Sequence, residues 1–114
     1  MSEISHNAHV QSLYREVNER IALVNARWDE PTVEVLCECG ATGCAERIEL
    51  AISEYESLRT HSRRFVLLPG HEDDHVEQVV RTTDGYLVVE NFGVAAEIAE
   101  RTDPRTGSRS IDAR

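Results

Sequence analysis

Three cysteines fall within eight residues, Cys37-Glu38-Cys39-Gly40-Ala41-Thr42-Gly43-Cys44, and this C-x-C-x4-C run constrains the fold more than any other feature. An odd number of crowded thiols makes no disulfide framework and points to metal ligation or thiol chemistry. The sulfurs can converge on one ion only if the chain turns sharply between the second and the third. Gly40 and Gly43 accept the backbone angles such a turn needs. A structural zinc takes four sulfur or nitrogen ligands in a tetrahedron, so the fourth is expected from a histidine. His71 is the first choice among the five histidines, because it follows Pro69-Gly70 in a turn leaving a strand. His75 is the alternative, while His6, His9 and His61 lie at predicted helix ends. The expected set is therefore Cys37, Cys39, Cys44 and His71 around a structural Zn2+, with an iron–sulfur centre or free thiols as the rival readings. Burial of three cysteines as small hydrophobes fits less well, because Glu38, Gly40, Thr42 and Gly43 are not core residue types.

Periodicity organises the rest. Val10, Leu13, Tyr14, Val17, Ile21, Val24 and Trp28 recur at helical spacing and predict an amphipathic helix over 8–28 whose apolar stripe packs on the core. Pairing of that stripe with a partner helix or a second copy is the other use for it. Val33 and Val35 alternate with Glu34 and Leu36, which predicts a strand running straight into the cysteines, with 47–50 as its return. Ser53-Glu54-Tyr55-Glu56 matches a capping box at the head of a short helix over 54–60. A strand over 64–68 stops at Pro69-Gly70. Strands over 76–83 and 86–91 flank Asp84-Gly85, a pair suited to a type I′ hairpin turn. The Ala-rich stretch 94–100 predicts a last short helix.

These elements make an α+β domain: a long N-terminal helix on a small antiparallel sheet, with a C-terminal β-hairpin and a zinc knuckle. The expected boundaries are a flexible 1–7, a single domain over 8–100, and a disordered tail over 101–114 that mixes Arg with Asp, Pro, Gly and Ser. Aromatic residues are only 5% of the chain, so the sheet region is poor in large core side chains. Domains this small commonly need a metal or a disulfide. Zinc capture contributes about 10–16 kcal/mol, against a total domain stability of about 5–15 kcal/mol, so loss of the ion should undo the fold locally or wholly.

Charge narrows the function. Twelve basic residues, all arginine, face 21 acidic ones for a net charge of −9, which excludes general affinity for nucleic acid or an anionic membrane. The first nine residues hold no apolar signal segment, and no apolar run is long enough to span a bilayer, so a cytoplasmic location with reduced thiols is expected. Glu38, Glu46 and Glu72 are the acids nearest the knuckle. Yet neither H-E-x-x-H nor the deaminase H-x-E with P-C-x2-C is present, and three thiolates with one imidazole close a coordination sphere. The expectation is a non-catalytic zinc protein that binds another protein. A thiol redox or zinc sensor using Cys37 and Cys39, and a small metal-dependent enzyme, are the alternatives.

Several runs resemble a family of short actinobacterial proteins. They are Arg15-Glu16-Val17-Asn18-Glu19-Arg20-Ile21, Cys37-Glu38-Cys39 with Cys44, Tyr55-Glu56 with Arg59, Arg64-Phe65, Pro69-Gly70-His71-Glu72 and Tyr86-Leu87-Val88-Val89-Glu90. The resemblance covers roughly positions 14 to 104; it implies the same grouping of Cys37, Cys39, Cys44 and His71 and a bacterial cytoplasmic origin, and it implies no activity. Leu36 departs from the pattern, standing where an aromatic is expected.

Overall fold

The computed structural model of the chain describes residues 3–26, 28 and 31–105. In chain order it holds α1 (Glu3–Ala26), β1 (Thr32–Leu36), β2 (Arg47–Ala51), α2 (Ile52–Leu58), β3 (Arg64–Leu67), β4 (Glu77–Thr82), β5 (Leu87–Asn91) and α3 (Gly93–Arg101). The α+β class stands, with the strands divided between two small antiparallel sheets. β1 pairs with β2, placing Val33 opposite Leu50 and Val35 opposite Ile48. The second sheet has the order β3-β5-β4, with Phe65 opposite Val89. Just beyond β1, Glu38 N donates to Val66 O at 2.8 Å and ties the first sheet to β3. Val33, Val35, Ile48 and Leu50 then meet Tyr55, Leu58, Phe65, Leu67 and Val89 in one buried cluster. Each such side chain contributes about 1.5–3 kcal/mol by leaving water.

Helix α1 departs most from expectation. Its apolar stripe does not face the core: Leu13 and Val24 are 57% and 52% exposed, and Trp28, which lies beyond the helix end at Ala26, is 73% exposed. The buried face is instead Ala8, Gln11, Ser12, Arg15, Asn18 and Ala22. Both sets recur every three or four residues, so period alone does not choose between them. Partners choose. Arg15 donates to Ser62 O at 2.7 Å and Ala99 O at 2.8 Å, and its guanidinium stacks 4.7 Å from the Phe65 ring centre. Asn18 Nδ2 donates to Leu36 O, and Asn18 Oδ1 accepts from Leu36 N, both at 2.8 Å. Ile21 is the part of the stripe that does reach the core, half-buried against it.

Three local expectations are corrected. α2 starts after Ala51 with no side-chain cap, so Ser53 and Glu56 make no capping box; Glu56 pairs with Arg105 at 3.0 Å instead. Gly85 is not in the left-handed region, so the β4–β5 turn is not type I′. There the Thr83 hydroxyl oxygen accepts from Gly85 N at 3.3 Å and Tyr86 N at 3.1 Å and closes the turn with a side chain. At the ends, α1 begins at Glu3, five residues before the expected start, and residues 102–105 are bound into the fold. Arg59 Nη2 donates to Asp103 at 2.6 Å, and Arg105 reaches Glu19 at 2.6 Å. The expected disorder of 106–114 lies outside the described residues. Among the described residues, no helix is long and apolar enough to cross a membrane.

Candidate metal centre

The alternation of Val33 and Val35 buries β1 on one side and delivers Cys37 and Cys39 to the edge of the core. Cys37 N donates to Glu46 O at 2.9 Å, so the hairpin ladder continues one step past β1. The chain then turns back. Gly43 has φ +88°, the left-handed backbone that glycine adopts without strain. Gly40 is required by crowding: a Cβ there would lie 2.9 Å from Asn7 Cβ and 3.1 Å from Asn7 O, because α1 packs directly on the knuckle. Tyr14 braces the same turn, its hydroxyl donating to Ala41 O at 3.4 Å and accepting from Gly43 N at 3.2 Å. On the opposite side, the turn after β3 brings His71 N to Leu68 O at 3.1 Å.

Sequence distance disappears at this point. The Sγ atoms of Cys37, Cys39 and Cys44 and a ring nitrogen of His71 all lie within 4.8 Å of one another. His71 Nδ1 is 3.5 Å from Cys37 Sγ and 3.8 Å from Cys44 Sγ. For an ion with metal–sulfur bonds of about 2.3 Å and metal–nitrogen bonds of about 2.0 Å, a tetrahedron separates sulfur from nitrogen by about 3.5 Å. The donor chemistry and the spacing both fit: the four side chains are positioned to bind a metal ion. Cys37 and Cys39 form the buried side of the group, Cys44 is half-buried and His71 is exposed. His75, the alternative ligand, stands in solvent with its side chain 92% exposed and held by Asp73 at 3.1 Å.

Burial, with the neighbouring thiols, pushes the Cys37 thiol well above the ordinary range, opposed by Leu68 N donating to its sulfur at 3.3 Å. Burial raises Cys39 as well. A divalent cation among the sulfurs inverts this balance, since a coordinating thiol is deprotonated outright.

What sequence reasoning missed is the buried role of Glu38, between two of the cysteines, which the sequence marks only as an acid near the knuckle and as foreign to a core. Glu38 is fully buried. Its Oε1 accepts from Val66 N at 3.0 Å, and its Oε2 accepts from Asn18 Nδ2 at 2.8 Å and Tyr55 Oη at 3.4 Å. Burial raises its carboxyl above the usual range, while the Asn18 and Val66 hydrogen bonds and the charges of Arg59 and Arg15 pull it back. Glu38 therefore anchors the backbone that aims Cys37 and Cys39, the supporting role that outer partners play around metal ligands. The available signal was the spacing of Gln11, Arg15, Asn18 and Ala22, a second helical stripe able to receive a buried acid. Glu72, another acid near the knuckle, accepts from Gly70 N at 2.9 Å and shapes the His71 turn. Comparison with protein-family models, curated proteins and solved structures returns no match, so the functional reading rests on this geometry.

Proposed function

We propose that this chain is a cytoplasmic, non-catalytic zinc protein in which Cys37, Cys39, Cys44 and His71 hold one structural Zn2+ ion, and that it works by binding another protein. The observation that carries the metal reading is the convergence of four ligand atoms, from two separate parts of the chain, within 4.8 Å. Three thiolates and one imidazole are the ligand set of closed structural zinc sites, and they leave no corner for a reacting water. The ion would tie the β1–β2 connection to the loop after β3. The reading as a binding module is supported by the outward stripe of α1, where Leu13, Val17 and Val24 expose apolar surface, with Trp28 exposed just beyond the helix. Kinship with the short actinobacterial proteins belongs to the same proposal.

Elemental analysis of chain purified without added metal tests the site. The expected result is one zinc per chain, with Cys39→Ser and His71→Ala losing it and His75→Ala keeping it. Full zinc in His71→Ala, or iron in place of zinc, would overturn the assignment. Sedimentation of the same preparation decides whether the α1 stripe joins two copies: a clean monomer leaves the stripe for a different protein.

A further inference from the structure

We propose that a cavity beside the metal centre binds a small organic cation, a primary ammonium on a short apolar body, with Glu77 as its counter-ion. The cavity, about 240 Å3, lies between the first turns of α1, residues 40–42 of the knuckle and the segment 71–77. Ile4, Ala8, Val76 and Ala95 contribute apolar lining, and Gln11 and Glu77 contribute polar groups. Glu77 is only 4% exposed. Its carboxylate is aligned at both oxygens: Gln11 Nε2 donates to Oε1 at 3.2 Å, and Asp73 N donates to Oε2 at 2.9 Å. Gln11 is fixed in turn by Asn91 Nδ2, which donates to its Oε1 at 2.8 Å.

Among the described residues Glu77 is a buried acid without a paired cation. Glu19 and Asp103, shielded acids in an ion-pair network, meet Arg59, and Glu19 also meets Arg105. Glu38, which has no ion pair either among the described residues, is enclosed by Val66 N, Asn18 and Tyr55 away from the cavity lining. Among the described residues no arginine or histidine forms an ion pair with Glu77. A buried carboxylate of this kind is costly, and a positive group brought to it from the cavity offsets that cost. At the far end of the row Asn91–Gln11–Glu77, Asn91 Oδ1 is buried without a hydrogen bond among the described residues. A divalent metal is a poorer match than an ammonium. The group of metal-ligating side chains found among the described residues is the knuckle itself, and Glu77 forms no such group with Asp73 or Glu72. The volume lies below the roughly 300–1,000 Å3 of drug-sized sites, which limits the occupant to a short chain. His71 borders the cavity, but the inference does not depend on which ion the knuckle holds.

Titration of the full chain with n-butylammonium, followed by amide NMR, tests this, with n-butanol and butyrate as isosteric controls. Saturable shifts at Gln11, Gly40, Thr42, Asp73 and Glu77 are expected with the ammonium at millimolar concentration and not with the controls. Glu77→Gln is expected to weaken binding about tenfold or more, the loss of a charge-assisted contact. Ile4→Trp, at an exposed lining position on α1 outside the knuckle, is expected to block entry with metal content and melting temperature unchanged. Equal binding of butanol, an unaltered affinity in Glu77→Gln, or the same shifts produced by Mg2+ or Ca2+ would overturn the proposal. So would the absence of saturable shifts in folded protein of normal metal content.

Discussion

Glu38 shows how a charged residue between Cys37 and Cys39 can be structural. Replacing it with alanine removes the acceptor for Val66 N and for Tyr55 Oη, and takes one of two acceptors from Asn18 Nδ2. Buried donors left without acceptors cost about 1–3 kcal/mol each, so Glu38→Ala is expected to lose about 3 kcal/mol. Denaturant unfolding at fixed zinc measures it, and a loss under about 1 kcal/mol would reduce Glu38 to a bystander. Glu77 yields a pH dependence. Burial, reinforced by Asp73 and Glu72, raises its carboxyl above the usual glutamate range, and the hydrogen bonds from Asp73 N and Gln11 oppose this only in part. The native chain thus keeps a proton where the unfolded chain, with a pKa of about 4.3, has released it. Its stabilising contribution is complete below that unfolded value and is lost as pH rises through the higher native one. Unfolding measured across this window should show the parent losing stability relative to Glu77→Gln as pH rises. The opposite slope would mean that the carboxylate is favoured in the fold.

At the scale of elements, the strands and the knuckle were legible and the orientation of α1 was not. β1 was readable because Val33 and Val35 have one side each to bury, and the ladder then forces β2 into register. The cysteines and His71 were readable because metal geometry demands a fourth ligand on a rigid turn. A helix offers no such closure. Six apolar residues mark one face of α1, but the core beneath it contains Glu38 and the carbonyls of Leu36, Ser62 and Ala99, which take hydrogen bonds from Asn18 and Arg15 on the polar face. The missing information lay in long-range partners, none of them near α1 in sequence. The two faces can be told apart by stability. Arg15→Ala leaves two buried carbonyls without their donor and should cost about 3–5 kcal/mol, and Arg15→Lys should rescue little because a lysine lacks the fork. Val24→Ala and Leu13→Ala, on the exposed stripe, should stay within about 0.5 kcal/mol. Thermal and denaturant melts of the four variants check this, and the reverse order would put the apolar stripe back in the core.

Across the whole molecule, two remote ties hold the layers together: the proposed ion on one side and an arginine network on the other. Arg59, whose side chain is 0% exposed, bridges Glu19 of α1 and Asp103 beyond α3 at 2.6 Å each. Arg105 completes the network by spanning Glu19 and Glu56. The segment 102–105 therefore acts as a clasp across α1 and α2. Ending the chain after Arg101 removes both Asp103 and Arg105 and leaves Arg59 and Glu19 to share one pairing between them. Breaking a buried pair by deleting one partner costs about 3–5 kcal/mol, a large part of the about 5–15 kcal/mol typical of a whole domain. That truncation should give a chain largely unfolded without zinc and folded only with the ion in excess, because binding adds to native stability by mass action. Ending the chain after Arg105 keeps all of these contacts and is the control for loss of the clasp alone. Circular dichroism melts of both truncations, with and without a chelator, separate the two ties. Equal melting of the chelated full chain and the chelated short one would mean that the clasp contributes nothing and that the ion alone joins the layers.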